Sequence, residues 1–470
     1  MRTDTTKKMA SSIRGLLFVA WAGMFAACAM QTYQAKPIDP EALPSAFAGR
    51  TLTGVGLRDF LRRQGIRVTQ WPLPAWDRRA LAAAALYYRP EPAEARAGVA
   101  VAEAQVLTAR GLPNPELTPQ VEHHSDFNGQ PTLWSAGAAL SWLFERPAKR
   151  AARIAQAEAA VEVARLAEAA QAWPVRRDVS EQLLNYFDAA TRRDLLQQQV
   201  RTQEEAVRLL ERRAELGEAN LFEVSATRLD LQRTRLALGA AAAQMQNARV
   251  ALAGALAVPA DSLEGANLSP DIFRQLPPAD AISRPALQKQ ALTGRADIRR
   301  QLQQYQVAEA DLRTEIERQY PDLTLNPGYL FDQTDNIWMI ATTLALPVLN
   351  RNEGPIAEAK ARRELEARRF ESLQSQVIAR LEQECRAYLS ARTAAATAAP
   401  LLTELSANEE KVKRQIQLEE TDQLTLIRAR LETLGTALAG HELRLQAWRE
   451  FLRLEDVVQD YLLENIGASP

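Results

Sequence analysis

RPAKRAARIAQAEAAVEVARLAEAAQAWPVRRDVSEQLLNYFDAATRRDLLQQQVRTQEEAVRLLERRAE, residues 146–215, decides how this chain must fold. It has no glycine and only two prolines, and Pro147 stands where a first-turn proline is tolerated. Alanine, leucine, glutamate, glutamine and arginine dominate, and these are the best helix formers. Ile154, Ala157, Val161 and Ala164 recur three and four residues apart, and Leu195, Val200, Val207 and Leu210 resume the stripe. One continuous helix here would be roughly 100 Å long, against about 10–14 residues for an ordinary one. Such a rod needs neighbours alongside it, either in a coiled-coil scaffold or in the wall of a long tube. Pro174 removes one backbone hydrogen bond and predicts a kink.

The flanks add to this. Downstream, GEANLF (Gly217–Phe222) reads as a tight turn, and Glu223–Leu256 as a returning helix. Upstream, LTPQVEHH (Leu117–His124) alternates weakly, and SDFNGQ (Ser125–Gln130) is rich in turn formers. TLWSAGAALSWLF (Thr132–Phe144) then puts Trp134, Ala136, Ala138, Leu140 and Trp142 on one face, with Ser135, Gly137, Ala139 and Ser141 on the other. Two strands of about ten residues fit a membrane-spanning hairpin. Trp134, Trp142 and Trp338 are candidate membrane-interface aromatics. A soluble hairpin with one buried face has the same pattern.

The plan then repeats. Residues from Tyr88 align with residues from Gly294: Val101–Ala104 and Val307–Ala310 are the same four residues, and Pro115 matches Pro321 at the same offset of 206. A second hairpin is expected over Leu323–Phe331 and Asn336–Leu349. Another very long helix, again with one interior proline (Pro400), leads to the turn Thr421–Leu424 and a helix to about Leu463. Upstream of the first hairpin, helices are expected from Trp76 and over Ala93–Ala109. The expected division is a leader over 1–27, a tether over 28–75, a first repeat over 76–256, a linker over 257–284, a second repeat over 285–463 and a flexible tail over 464–470. Two halves supply four strands and leave sheet edges open. In lipid such edges must be paired, and identical neighbours are the obvious source.

Composition bounds the function. The 57 basic and 58 acidic residues nearly cancel, so nothing points to nucleic acid. Basic Arg2, Lys7, Lys8 and Arg14, the apolar run Gly15–Phe25 and small Ala26–Ala27 precede Cys28. That order resembles a bacterial lipoprotein signal, with Cys28 as the lipid attachment point, although an ordinary cleaved signal has much the same form. Cys385 is then alone, inside a helical pattern, and reads as a small buried apolar residue. Adjacent His123 and His124 face opposite ways in a strand and make no ligand pair. No catalytic set, phosphate loop or metal cluster is evident, so neither an enzyme nor a cofactor is expected.

LPNPEL (Leu112–Leu117), QYPDLTL (Gln319–Leu325), GEANLFEV (Gly217–Val224) and TLALPVLNRNEGPIAEAKA (Thr343–Ala361), in this duplicated order, resemble the outer membrane factor family of TolC-like channels. The resemblance covers nearly all of residues 76–463. It implies a mainly α fold with membrane β, in which a long α-helical hairpin barrel continues a shared transmembrane β-barrel. It further implies a homotrimer in the bacterial outer membrane, reaching into the periplasm and serving as a passive exit duct. Its partners would be a periplasmic adaptor, an inner-membrane pump and outer-membrane lipid. Relatives narrow the tunnel mouth with acids in the second-repeat helix; with Leu221 set against Leu424, those positions here read Leu426, Ile427, Arg428 and Ala429. Gly217, Glu218, Glu223, Glu419, Glu420 and Asp422 are the candidates for aperture or adaptor contact in their place. A periplasmic coiled-coil lipoprotein with no pore is the alternative from a different class.

Overall fold

A computed structural model describes residues 31–125, 133–270, 273–332 and 335–462. The expected leader, Cys28 and the tail from 464 lie outside the described residues. The chain divides into two compact units, Met1–Gly49 and Arg50–Pro470. In the first, α1 (Ala42–Ala48) is short and exposed.

The second unit runs α2 (Val55–Arg63), α3 (Arg78–Tyr88), α4 (Glu91–Arg110), β1 (Glu116–His123), β2 (Trp134–Phe144), α5 (Pro147–Glu215) and α6 (Leu221–Leu256). It continues with α7 (Arg284–Gly294), α8 (Ala296–Glu317), β3 (Leu323–Asp332), β4 (Asp335–Leu344), α9 (Glu353–Gln417) and α10 (Gln423–Val458). The order helix, strand pair, very long helix, shorter helix thus occurs twice. Helix α5 has 69 residues and α9 has 65, and both stay helical through their prolines, Pro174 and Pro400. Helices α6 and α10 have 36 residues each, and both end on a left-handed residue, Ala257 and Gln459.

Helix α5 packs along α6 and α9 along α10, and α5 also touches α4, α8 and α10. The apolar positions are sparse along these rods and concentrate midway along α5 and α9 and at the C-terminal ends of α6 and α10. One core joins Leu57, Leu61 and Trp76 and the alanine-rich face of α3 to Val175, Val179 and Leu183 of α5 and to Leu252 and Leu256 of α6. A second joins Leu287 and Ile298 to Val377, Leu381, Cys385 and Tyr388 of α9 and to Trp448, Phe451 and Leu454 of α10. The stretch read as a tether therefore contributes core side chains from Leu52 onward. The stretch read as a linker does too: Val258 and Leu263 are buried, and Trp76 exchanges backbone hydrogen bonds with Asn267 and Ser269 (2.8 and 2.9 Å).

A buried ion pair links early and late chain. Arg78 of α3 donates to both carboxylate oxygens of Glu455 of α10 (2.6 and 3.2 Å), and the two side chains are 1% and 2% exposed. The Leu462 amide also donates to Glu455 (3.0 Å), and the guanidinium lies 4.1 Å from the Tyr461 ring centre. Such a pair stands only when its geometry and remaining hydrogen bonds are complete.

The four strands form one antiparallel sheet in the order β1–β2–β3–β4. Its second hairpin ends at Leu344, short of the expected Leu349. Pro347 has no donor for a ladder, and Asn352 takes a left-handed conformation (φ 60°) ahead of α9. Pairing between β2 and β3 lapses opposite Pro327 and resumes at Trp142–Leu325 without changing register. At Gly137 the neighbouring strand comes so near that a Cβ would lie 2.5 Å from the Tyr329 carbonyl oxygen.

Candidate functional site

The register sorts every strand residue onto one of two faces, because directly paired residues share a face. One face carries Leu117, Pro119 and Val121 of β1 beside Trp134, Ala136, Ala138, Leu140, Trp142 and Phe144 of β2. Leu323, Leu325, Pro327, Tyr329 and Phe331 of β3 and Trp338, Ile340 and Leu344 of β4 lie on it too, with Asn336 and Thr342 as its polar members on β4. The other face holds Glu116, Thr118, Gln120 and Glu122, then Ser135, Gly137, Ala139 and Ser141, with Thr324, Asn326, Asp332, Asp335 and Thr343 across the sheet; Leu143, Leu330, Ile337 and Met339 lie among them. The first face is apolar yet open: Trp134 is 55% exposed, Trp142 48%, Trp338 79% and Ile340 80%. A contiguous apolar surface of this size on a water-soluble monomer would be anomalous. Trp134 and Trp142 stand eight residues apart on β2, about 27 Å along the strand, or roughly 20 Å of height at the ~40° tilt of barrel strands. Trp338 packs on Tyr329 two rows in from Trp134.

At the far end of the rods both helical turns share one backbone pattern. Gly217 takes φ +74° and Glu419 takes φ +61°. The next amide in each case, Glu218 and Glu420, reaches back to the Arg213 and Gln415 carbonyls (2.8 and 2.9 Å), closing a Schellman-type turn. Asn220 and Asp422 then cap α6 and α10. Geometry therefore matches Gly217 to Glu419, one residue away from the alignment through Leu221 and Leu424.

The six tip candidates fall into two groups. Glu223 and Asp422 are engaged between the two hairpins: Arg213 of α5 donates to Asp422 (2.9 Å), and Arg428 of α10 donates to Glu223 (2.9 Å). Leu210, Val224 and Leu424 form a small core between these pairs. The Asp422 carboxyl is held down at about 2, first by the Thr425 hydroxyl and its backbone amide (2.6 and 2.9 Å), then by Arg213. Gly217, Glu218, Glu419 and Glu420 are exposed. Sequence reasoning chose the acids and passed over the apolar residues beside them: Leu216, Leu221, Phe222 and Leu418 are all strongly exposed. The signal available was bulky apolar side chains next to a tight turn, where a solvated loop has no use for them.

His123 and His124 do face opposite ways. His123 packs on Trp134 with ring centres 4.5 Å apart, and His124 turns to Ser135 and Asp332. Another contact invisible in sequence is His441 of α10, which bonds to Asp188 of α5 (2.9 Å). Cys385 is buried, and burial pushes its thiol up. Among the described residues no three His, Cys, Asp or Glu side chains come together as a metal site, and no helix is long and apolar enough to cross a membrane.

The model of the family "outer membrane efflux protein" matches residues 81–258. Over 269 residues, 55% of this chain, the sequence is 29% identical to the cobalt-zinc-cadmium resistance protein CzcC of Cupriavidus metallidurans. The match spans 59% of that relative's length. The fold is similar to the outer-membrane channel OprN (TM-score 0.64, 15% identity, 82% of this chain and 90% of that one). It is also similar to CusC (TM-score 0.62, 14% identity, 92% and 99%) and to the outer membrane protein VceC of Vibrio cholerae (TM-score 0.62, 16% identity, 81% and 95%).

Proposed function

We propose, from the match of residues 81–258 to the outer membrane efflux protein family and the similarity to CzcC, that this chain is the outer-membrane exit duct of a tripartite efflux or secretion system. The observation that carries the proposal is the sheet. One of its faces is mainly apolar, aromatic and open, the other carries every charged strand residue and most of the polar ones, and β1 and β4 are its two edges. Lipid satisfies the first face, and a water-filled lumen the second. Edge strands in lipid need partners, and further copies of the chain supply them, so a homotrimer with four strands per subunit closes the barrel. A pore-free coiled-coil rod has no use for such a sheet.

In this reading the two series of elements are an internal duplication, and the helical hairpins are the wall of a periplasmic tunnel. Trp134 and Trp142 sit in the two aromatic girdles; Trp338, expected there too, falls in the row of Ala138 midway between them and faces the lipid. Gly217, Glu218, Glu419 and Glu420, with the apolar residues around them, meet the periplasmic adaptor of an inner-membrane pump. Glu223 and Asp422, tied to Arg428 and Arg213, hold the two tips together and are not part of a ring of repelling charges. Cys28 carries the lipid anchor. The chain performs no chemistry: it conducts. Similarity to a cobalt-zinc-cadmium resistance protein makes divalent metal cations the first cargo to test.

The test is single-channel recording in planar bilayers with detergent-purified mature protein, alongside its mass in detergent. Discrete steps from a trimer are expected. Folded protein that stays monomeric and never enters a bilayer would sink the proposal.

A further inference from the structure

The sheet end that carries His123, Trp134, Asp332 and Asp335 is the one away from the helices, so in a duct whose helices are periplasmic it faces the outer mouth. His124 stands there. Its amide donates to the Leu133 carbonyl (2.8 Å), which continues the β1–β2 register by one row and puts its side chain on the polar face with Glu122. The imidazole Nε2 is 2.8 Å from the Ser135 hydroxyl and 3.4 Å from the Asp332 carboxylate, and Ser135 itself donates to Asp332. Since the serine proton goes to Asp332, Nε2–H is the donor to Ser135. One short relay thus crosses β1, β2 and β3. Ser135 is buried beneath it (1% exposed), and Asp332 is directly paired with Asp335 of β4.

The charged groups on the polar face around His124 are therefore Glu122 of β1, Asp332 of β3 and Asp335 of β4; β2 offers only Ser135. All three are acids, and no other cation shares these last rows among the described residues. Histidine is the side chain whose charge ordinarily changes between about pH 5 and 8. We propose that His124 sets the ion preference of the outer mouth: neutral, it leaves an acidic collar that favours cations; protonated, it binds Asp332 more tightly and cancels one of the three acids in each subunit. The extra Nδ1–H does not break the relay, because Nε2–H stays on Ser135, so acidification changes charge without opening the clip.

This inference rests on the channel reading, and the experiment keeps the two apart. Protein added to one side of a bilayer puts the His124 end of its sheet on the far side, since no described helix is long and apolar enough to cross. Lowering the far-side solution from about pH 8 to about pH 5 then titrates the mouth and spares the helical tunnel. One charge per subunit at roughly 10 Å from the axis, screened over a Debye length of about 10 Å, lowers the cation-over-anion permeability ratio about two- to fourfold. Wild type should show that fall. His124→Asn, which keeps a donor near Ser135, should abolish it, and His123→Asn should retain it. An unchanged ratio in the wild-type channel overturns the proposal without any variant, and so does a fall that survives in His124→Asn. Folded protein that never conducts removes the channel reading and the mouth with it.

Discussion

Arg78→Met tests how the early and late parts of the chain are held together. The substitution keeps most of the apolar stem of Arg78 and deletes the guanidinium that gives Glu455 two hydrogen bonds. Glu455 would remain 2% exposed, with the Leu462 amide as its described backbone donor. Removing one partner of a pair this deeply buried costs about 3–5 kcal/mol, and no discount for solvent screening applies. The Arg50–Pro470 unit has about 420 residues. At about 2.1 cal/mol/K per residue its unfolding entropy is near 0.9 kcal/mol/K, so the melting temperature should fall by about 3–6 °C. The assay is circular dichroism at 222 nm on detergent-purified protein at one fixed scan rate. Arg78→Met/Glu455→Leu should recover most of the loss, because the main cost is a buried carboxylate that has lost its paired guanidinium. A single variant that melts like wild type, or a double variant no better than the single, refutes the reasoning.

Three other outcomes follow from the same geometry. Asp422→Ala should loosen the first turn of α10 by about 1 kcal/mol, read as faster hydrogen exchange at the Thr425 amide. Because the folded carboxyl sits at about 2, below an ordinary aspartate near 3.9, its contribution is complete above about pH 4 and lost as pH falls through 2, never on the alkaline side. Gly137→Val should prevent β2 and β3 from closing, since even a Cβ meets the Tyr329 carbonyl oxygen at 2.5 Å; heat-resistant oligomer should vanish from gels while far-ultraviolet helix content persists. Ile340→Arg should block membrane assembly at a cost of about 2–4 kcal/mol, while Ala341→Arg, one residue along on the polar face, should assemble normally and change conductance only. Equal behaviour of that last pair would show the faces to be wrongly assigned.

Much of the fold is written locally. Seventy residues of good helix formers without glycine make one helix, and its observed limits, Pro147 and Glu215, are nearly those read from composition and turn signals. The face assignment of Trp134–Trp142 needed only the two-residue alternation of a strand. What escaped depends on residues far apart. Arg213–Asp422, Arg428–Glu223 and His441–Asp188 each join positions more than 200 apart in sequence, and no pattern within one helix announces them. The second tip was misaligned because its left-handed residue is Glu419. Glycine normally marks that conformation, and a glutamate there hides it. The stretches before Trp76 and after Val258 looked like connections because proline and glycine break their periodicity. Single apolar side chains such as Leu57 and Leu263 still reach the core from them.

The link between β2 and β3 has a consequence for the order in which the molecule can be made. Ser135 pairs with Asp332, so a strand finished early must wait for almost 200 further residues before its second neighbour exists. Each very long helix, by contrast, meets its returning helix across a turn of only a few residues. During that interval the first strand pair presents an unfilled edge and a greasy side, the features that drive chains to clump. A cell making this protein therefore handles a half-built adhesive, and how long it must do so is set by the length of α5, α6 and the segment that follows them.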